Sequence, residues 1–291
     1  MVHEGELSLI DLMIDYFCLS PAMKVFEVIS PATKPVPVLI SVPHCGTGFP
    51  EEIKSLIRLE LLPPDDTDFF VRQLYDFAPA LGITMIYANY SRWVIDLNRD
   101  PESKPLYSDG RIITSLVPET DFLGNSIYNN ETPTKAEIHR RIKSYYIPYH
   151  SEISNQIKAL QKKFRHILLF DAHSIRKSVP SIQSQPFPDL ILGDNQLKSA
   201  RSEIIEVVWN EINNSNYTSS HNVPFQGGFI TRSFGNPNRN IHALQLEMTK
   251  INYMDDSETE YHSGRAAEMR KVLKSIFRKL IVTLEQLNKK E

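Results

Sequence analysis

Cysteine is scarce: Cys18 and Cys45 are the only two in 291 residues. Two thiols cannot build a disulfide framework or a four-thiolate zinc site, and a reducing compartment is the simplest expectation. Basic charge is not in excess. Lys and Arg number 32 against 35 Asp and Glu, for a net charge of -3. That withholds the basic field that non-specific nucleic-acid binding needs. No run approaches the roughly 18 apolar residues of a membrane span. The opening MVHEGELSLIDLMIDYF has no basic residues ahead of its apolar part and carries Glu4, Glu6, Asp11 and Asp15. It does not read as a signal peptide, and a cytoplasmic protein is expected. There is no internal repeat, low-complexity tract or long Ser/Gly/Pro linker. What is present is ordinary for a globular chain: 41% hydrophobic and 23% charged residues, which excludes disorder as the main state.

The pattern reads as one domain over 34–291, with 1–33 as an N-terminal appendage. Val36–Val42 is a short apolar run bounded by prolines, hence a buried strand. Pro64–Thr67 opens a helix through Phe69, Phe70, Leu74, Phe77 and Leu81, with Asp66 or Thr67 as cap and Gly82 as stop. Strands are expected at 83–87, 93–97, 166–170, 190–192 and 241–246. Helices are expected at 135–163, bent near Pro148, and at 196–213 and 264–287. Residues 98–132 read as a long loop, which in a compact domain is usually functional. Alternating strands and helices predict an α/β fold with a mostly parallel or mixed central sheet flanked by helices.

In open α/β sheets ligands sit beyond the carboxyl ends of the strands. His44 follows the first strand, Asp171 and His173 follow the one at 166–170, and Glu247 follows the one at 241–246. Arg92, Asp96, Asn98 and Arg99 surround the segment at 93–97. Two histidines with carboxylates at hand suit a hydrolytic zinc centre with an open position for water. Glu247 is the candidate base, because a carboxylate ending an apolar strand is costly unless used. Taken singly, each histidine is more often a loop cap than a ligand. The pair and its surroundings raise the odds. Cys45 next to His44 is a weak thiol-nucleophile pattern, since sequence neighbours point apart. Ser41 and Ser174 lack a nucleophile-elbow context. His139 and His150 read as capping or surface-lining residues of the long helix. Gly227-Gly228 lacks phosphate-loop or dinucleotide spacing.

Together the segments SVPHCGT (41–47), DTD (66–68), LYDF (74–77), YSRWVIDLNR (90–99), YIPYH (146–150), FDAHSIR (170–176), PDLILG (188–193), GGFITR (227–232) and LQLE (244–247) resemble the N-formylglutamate amidohydrolase (deformylase) family. The resemblance runs in order from about 36 to 275. It implies metal-dependent hydrolysis of N-formyl-L-glutamate to formate and L-glutamate, a late step of histidine degradation. It also implies a fold similar to zinc carboxypeptidases and aspartoacylase (phosphorylase/hydrolase-like), with one divalent ion, most simply zinc. Carried over, His44 and His173 are metal ligands, Asn98 and Arg99 match a substrate-binding Asn-Arg pair, Glu247 matches the base, and Arg92 polarises the scissile carbonyl. The related His-x-x-Glu metal pair is broken here by Thr47. The third ligand must lie elsewhere, with Asp68 first and Asp66 second in line. Two substrate carboxylates call for arginines, with Arg99 and Arg232 favoured over Arg176. The alternatives are a deacylase of another N-acyl amino acid or small peptide, or a non-catalytic binder of small dicarboxylates. A small-molecule partner is expected, and neither nucleic acid nor membrane.

Overall fold

The computed structural model describes residues 23–102 and 114–290. Seven strands form one mixed sheet: β1 Phe26–Ile29, β2 Val38–Val42, β3 Thr84–Ala88, β4 Ile167–Ile175, β5 Leu190–Gly193, β6 Ser219–His221 and β7 Ile241–Thr249. Their spatial order is β1-β3-β2-β4-β7-β5-β6. The centre is parallel, from β3 through β2 and β4 to β7. β1 runs antiparallel to β3, and β5 antiparallel to β7. β1 thus draws the end of the N-terminal stretch into the sheet.

Helices cover both faces: α1 Glu51–Lys54, α2 Val71–Leu74, α3 Lys135–Arg141, α4 Ile147–Gln161, α5 Ser202–Asn213, α6 Phe229–Phe234 and α7 Ser263–Lys290. Strand alternation divides the apolar side chains. Val38, Ile40, Val42, Phe170, Leu244 and Leu246 pack under α5 and α7 with Val208, Leu273 and Phe277. Leu39, Leu169 and Ala243 face the other way, toward Trp93, Val94, Tyr149 and Ile153. Burial on both faces explains why the central strands read as continuous apolar runs.

Three expected elements differ. Residues 93–97 are buried but are not a strand. Side chains of the α3–α4 layer take up their backbone instead. Arg141 donates to the carbonyl of Val94 at 3.1 Å, His150 Nε2 lies 2.8 Å from the Leu97 carbonyl, and Tyr146 donates to that of Arg99 at 2.8 Å. The expected helix over 64–81 is broken into α2 and a 3-10 turn at Pro79–Leu81, with Gly82 left-handed as its stop. Phe70 enters α2 at φ 62°, a left-handed conformation costing a side chain roughly 1–2 kcal/mol. The helix expected at 196 begins at Ser202, because Asn195, Gln196 and Leu197 are all left-handed. The bend near Pro148 is a π-helical turn, Ile142–Tyr146, inserted just ahead of it. The expected loop at 98–132 has no helix or strand among its described residues. β4 and β7 run on past their apolar parts to Ile175 and Thr249, so the polar residues expected after these strands lie within them.

At the far end of β4 and β7, His166 and His242 stack with ring centroids 5.5 Å apart and Nδ1 to Nε2 at 3.2 Å. Burial, then His166 and Arg201, pushes His242 down to about 3. The unfolded chain binds that proton near the ordinary 6.5 and the folded chain only near 3. Stability therefore falls as pH drops through this window, by at most about 1.4 kcal/mol per pH unit. Urea unfolding at pH 7 and pH 5 should show the loss, and His242→Gln should flatten it.

Candidate functional site

The site forms where β2, β4 and β7 end. β2 delivers His44 within two residues of its last strand residue. β4 carries Asp171 and His173, which share a face because they are two apart in a strand. The parallel register sets Glu247 of β7 directly opposite His173. Asp68 arrives from the loop before α2, where its N–H donates to the His44 carbonyl at 3.0 Å.

His44, Asp68 and His173 are buried and converge, with one potential ligand atom from each lying within 4.8 Å of the others. His173 Nδ1 is 3.1 Å from Asp68 Oδ2, and His44 Nδ1 is 3.9 Å from it. The far ring nitrogens are held by two further carboxylates: His44 Nε2 lies 2.8 Å from Asp96 Oδ1 and His173 Nε2 2.9 Å from Asp171 Oδ2. Such partners fix ring orientation and strengthen a histidine as a ligand. Two imidazoles and a carboxylate suit zinc. These residues therefore fit a divalent ion.

Electrostatics separate the members. Burial, then Arg92, pushes His44 down to about 4, which keeps it neutral. Burial alone would lower His173, but Asp171 and Asp68 override it and hold it well above the usual range. Burial would raise Asp96, but Arg92, Arg99 and His44 keep it well below the carboxylate range. Glu247 is different. Burial pushes it up to about 7, and its Oε2 has no hydrogen-bond partner among the described residues, while Oε1 accepts from Gln245 at 3.1 Å.

The other candidates fall into clear places. Asp66 turns away from the histidines: its Oδ2 accepts from the Trp93 indole at 3.1 Å and faces Arg92 Nε at 3.6 Å. Arg92 is buried and ion-paired to Asp96 at 2.6 Å. Asn98 is a brace: its Nδ2 donates to Asp171 at 3.1 Å and its Oδ1 accepts from the N–H of Ile230 in α6 at 2.8 Å. Arg99 donates to both the carbonyl and the hydroxyl of Thr114, at 3.2 and 3.1 Å. Arg232 of α6 donates to the Gly227 carbonyl at 2.7 Å. Arg176 lies outside the buried cluster, paired with Asp65 at 2.9 Å and Glu258 at 3.0 Å. Thr47 is exposed and lines a separate groove with Cys45, Arg72 and Tyr87. Burial pushes the Cys45 thiol up to about 12, which disables it as a nucleophile. His150 braces the 93–97 segment, and His139 is exposed with Nδ1 2.7 Å from the Lys135 carbonyl.

The Asn98 brace leaves no room at Gly228, where an added Cβ would lie 2.3 Å from Asn98 Nδ2. Gly228→Ala is expected to cost roughly 1–3 kcal/mol in unfolding free energy, as overpacking does. Urea denaturation at pH 7 measures it.

The sequence puts Asp96 and Asp171 near the rim but assigns them no role; the structure makes them the partners of His44 and His173. The available signal was spacing: Asp171 precedes His173 by two on a strand, and Asp96 precedes Asn98 by two.

Residues 36–254 match the family model for N-formylglutamate amidohydrolase. The chain is 36% identical over 260 residues to the N-formylglutamate deformylase of Pseudomonas aeruginosa, covering 88% of this chain and 96% of that one. It is 36% identical over 251 residues to the N-formylglutamate deformylase of Pseudomonas putida, covering 84% and 92%. Among solved structures, the N-formylglutamate amidohydrolase of Ralstonia eutropha superposes with a TM-score of 0.77 at 25% identity, covering 90% of this chain and 98% of its own. A protein of Agrobacterium tumefaciens shares the fold at 19% identity and a TM-score of 0.72, over 90% and 97%. The chain belongs to the N-formylglutamate amidohydrolase family.

Proposed function

We propose that this chain hydrolyses N-formyl-L-glutamate to formate and L-glutamate at a single divalent metal, most simply zinc, held by His44, Asp68 and His173. The observation that carries the reading is Glu247, a carboxylate with one oxygen unpartnered among the described residues and set opposite His173. The relatives named as deformylases support the substrate.

An ion bound there supplies Lewis acidity, acidifying water to a pKa of about 7 and polarising the formyl carbonyl. The protein supplies the proton path. Glu247 Oε2 accepts a proton from the attacking water and returns it to the amide nitrogen as the C–N bond breaks. A carboxylate raised to about 7 suits both halves of that exchange. Arg92 offsets the charge that develops on the carbonyl oxygen. Asp96 anchors one end of its guanidinium at 2.6 Å, and its Nε, without a hydrogen-bond acceptor among the described residues, faces Asp66 Oδ2 at 3.6 Å. Arg99 and Arg232 bind the two substrate carboxylates, Asn98 steadies that wall through Asp171 and α6, and Arg176 sits at the outer rim.

Comparing N-formyl-L-glutamate with N-formyl-L-norvaline, which lacks the side-chain carboxylate, tests the substrate reading. The second should lose at least about 100-fold in kcat/KM, because it leaves a charged partner unsatisfied. Equal kcat/KM for the two would contradict it.

A further inference from the structure

Lys250 has no part in the chemistry above, yet its side chain is almost wholly buried where β7 ends. Burying an ammonium costs several kcal/mol unless it is well partnered. Its Nζ donates to the backbone carbonyl of Asp65 and lies 5.3 Å from the centre of the Phe69 ring. The charged groups around it are Asp65, Asp66, Asp68 and Glu258.

The segment from Asp65 to Phe70 has no helix or strand of its own. It must nevertheless present Asp68 to two histidines within a few tenths of an ångström. Among the described residues, three hydrogen bonds tie its backbone to distant parts of the chain. Lys250 takes the carbonyl of Asp65, Arg92 takes that of Asp66 at 3.4 Å, and the Asp68 N–H is tied to His44 at 3.0 Å. Of these three, the Lys250 tie is the one that joins the segment to the end of β7, the strand that carries Glu247.

We propose that Lys250 is a positioning residue for the metal centre, fixing the loop that aims Asp68 at His44 and His173. The inference rests on Asp68 being a ligand. Lys250 also carries charge, and a purely Coulombic role predicts the opposite sign: removing a cation beside a divalent ion would tighten binding. The tether dominates, because four carboxylates already offset the Lys250 charge while a misplaced Asp68 costs a ligand.

The test is calorimetric titration of Zn2+ into metal-stripped wild type, Lys250→Met, Lys250→Arg and Asp68→Ala. The Co2+ absorption spectrum of each variant and the unfolding temperature of each metal-free protein complete it. Lys250→Met should bind Zn2+ 10–100-fold more weakly, the size typical of losing a group that orients a ligand. Lys250→Arg should recover at least part of the affinity, and the Co2+ band of Lys250→Met should shift. In an Asp68→Ala background Lys250→Met should add no further loss. If Lys250→Met does not fold, Lys250→Gln, one bond too short for the carbonyl, carries the same expectation. Wild-type or tighter Zn2+ binding by the neutral variant, with Asp68→Ala weakened, overturns the positioning role alone. Unchanged binding by Asp68→Ala overturns the assignment of Asp68 as a ligand and this inference with it.

Discussion

Glu247→Gln is expected to lower kcat for amide hydrolysis by roughly 10²–10⁴-fold, the contribution of a positioned proton carrier, while Zn2+ binding stays within a few-fold of wild type. The amide keeps the shape and the contact with Gln245 but cannot accept a proton. The two readouts matter together, because a lost ligand would reduce both. The pH profile carries a second signature. Glu247 must be ionised to act as base, and burial raises it to about 7. Activity should therefore rise with pH and level off above an apparent pKa at or below 7, since a bound cation pulls the carboxylate down. That ascending limb should change shape in Glu247→Gln. Steady-state formate release from pH 5 to 9, with metal content measured in the same samples, decides it. A variant that keeps wild-type kcat removes Glu247 from the chemistry.

Asp68→Ala carries the second large effect. Removing one of the three proposed ligands should weaken Zn2+ by more than the 10–100-fold typical of an outer partner. Activity at sub-saturating zinc should be lost with it and return only in part at high zinc. Asp66→Ala is the control. Asp66 pairs with Trp93 and Arg92 and does not face the histidines, so its loss should lower stability while leaving Zn2+ affinity much nearer wild type. If the two variants exchange these outcomes, the third ligand has been misassigned.

Much of this site was legible because strands write their ends plainly. The apolar runs before His44, Asp171 and Glu247 placed all three at one rim, and β2, β4 and β7 are neighbours. The third ligand was less legible. Asp66 and Asp68 look alike in sequence, and both suit a helix cap. The left-handed turn at Phe70 and the tie from Asp68 to the His44 backbone separate them. Asp96 and Asp171 lie where the sequence puts polar strand-end groups, but their role is not legible, because a carboxylate that orients a histidine has no local signature. The expected strand at 93–97 failed for a related reason. Its apolar run is real and buried, but its carbonyls are claimed by Arg141 and His150, some fifty residues further along the chain. Local periodicity reports burial, not which partner satisfies the backbone.

The arginines show the same limit. Four lie in motif segments, with Arg92 read as the carbonyl polariser and Arg99 and Arg232 favoured over Arg176 as carboxylate binders. In the fold Arg92 is buried against Asp96, Arg99 and Arg232 lie against nearby backbone groups, and Arg176 bridges Asp65 and Glu258 with its side chain 40% exposed. Charge alone does not say which is committed to the protein and which to substrate.

The central claim is a metal-dependent deformylase, and formate release from N-formyl-L-glutamate tests it most directly. The protein is assayed as purified with its metal quantified, after chelator stripping, and after stoichiometric Zn2+. The account predicts formate from the metallated protein, none after stripping, and recovery with zinc. No formate from fully metallated protein, or full activity after stripping, would contradict it.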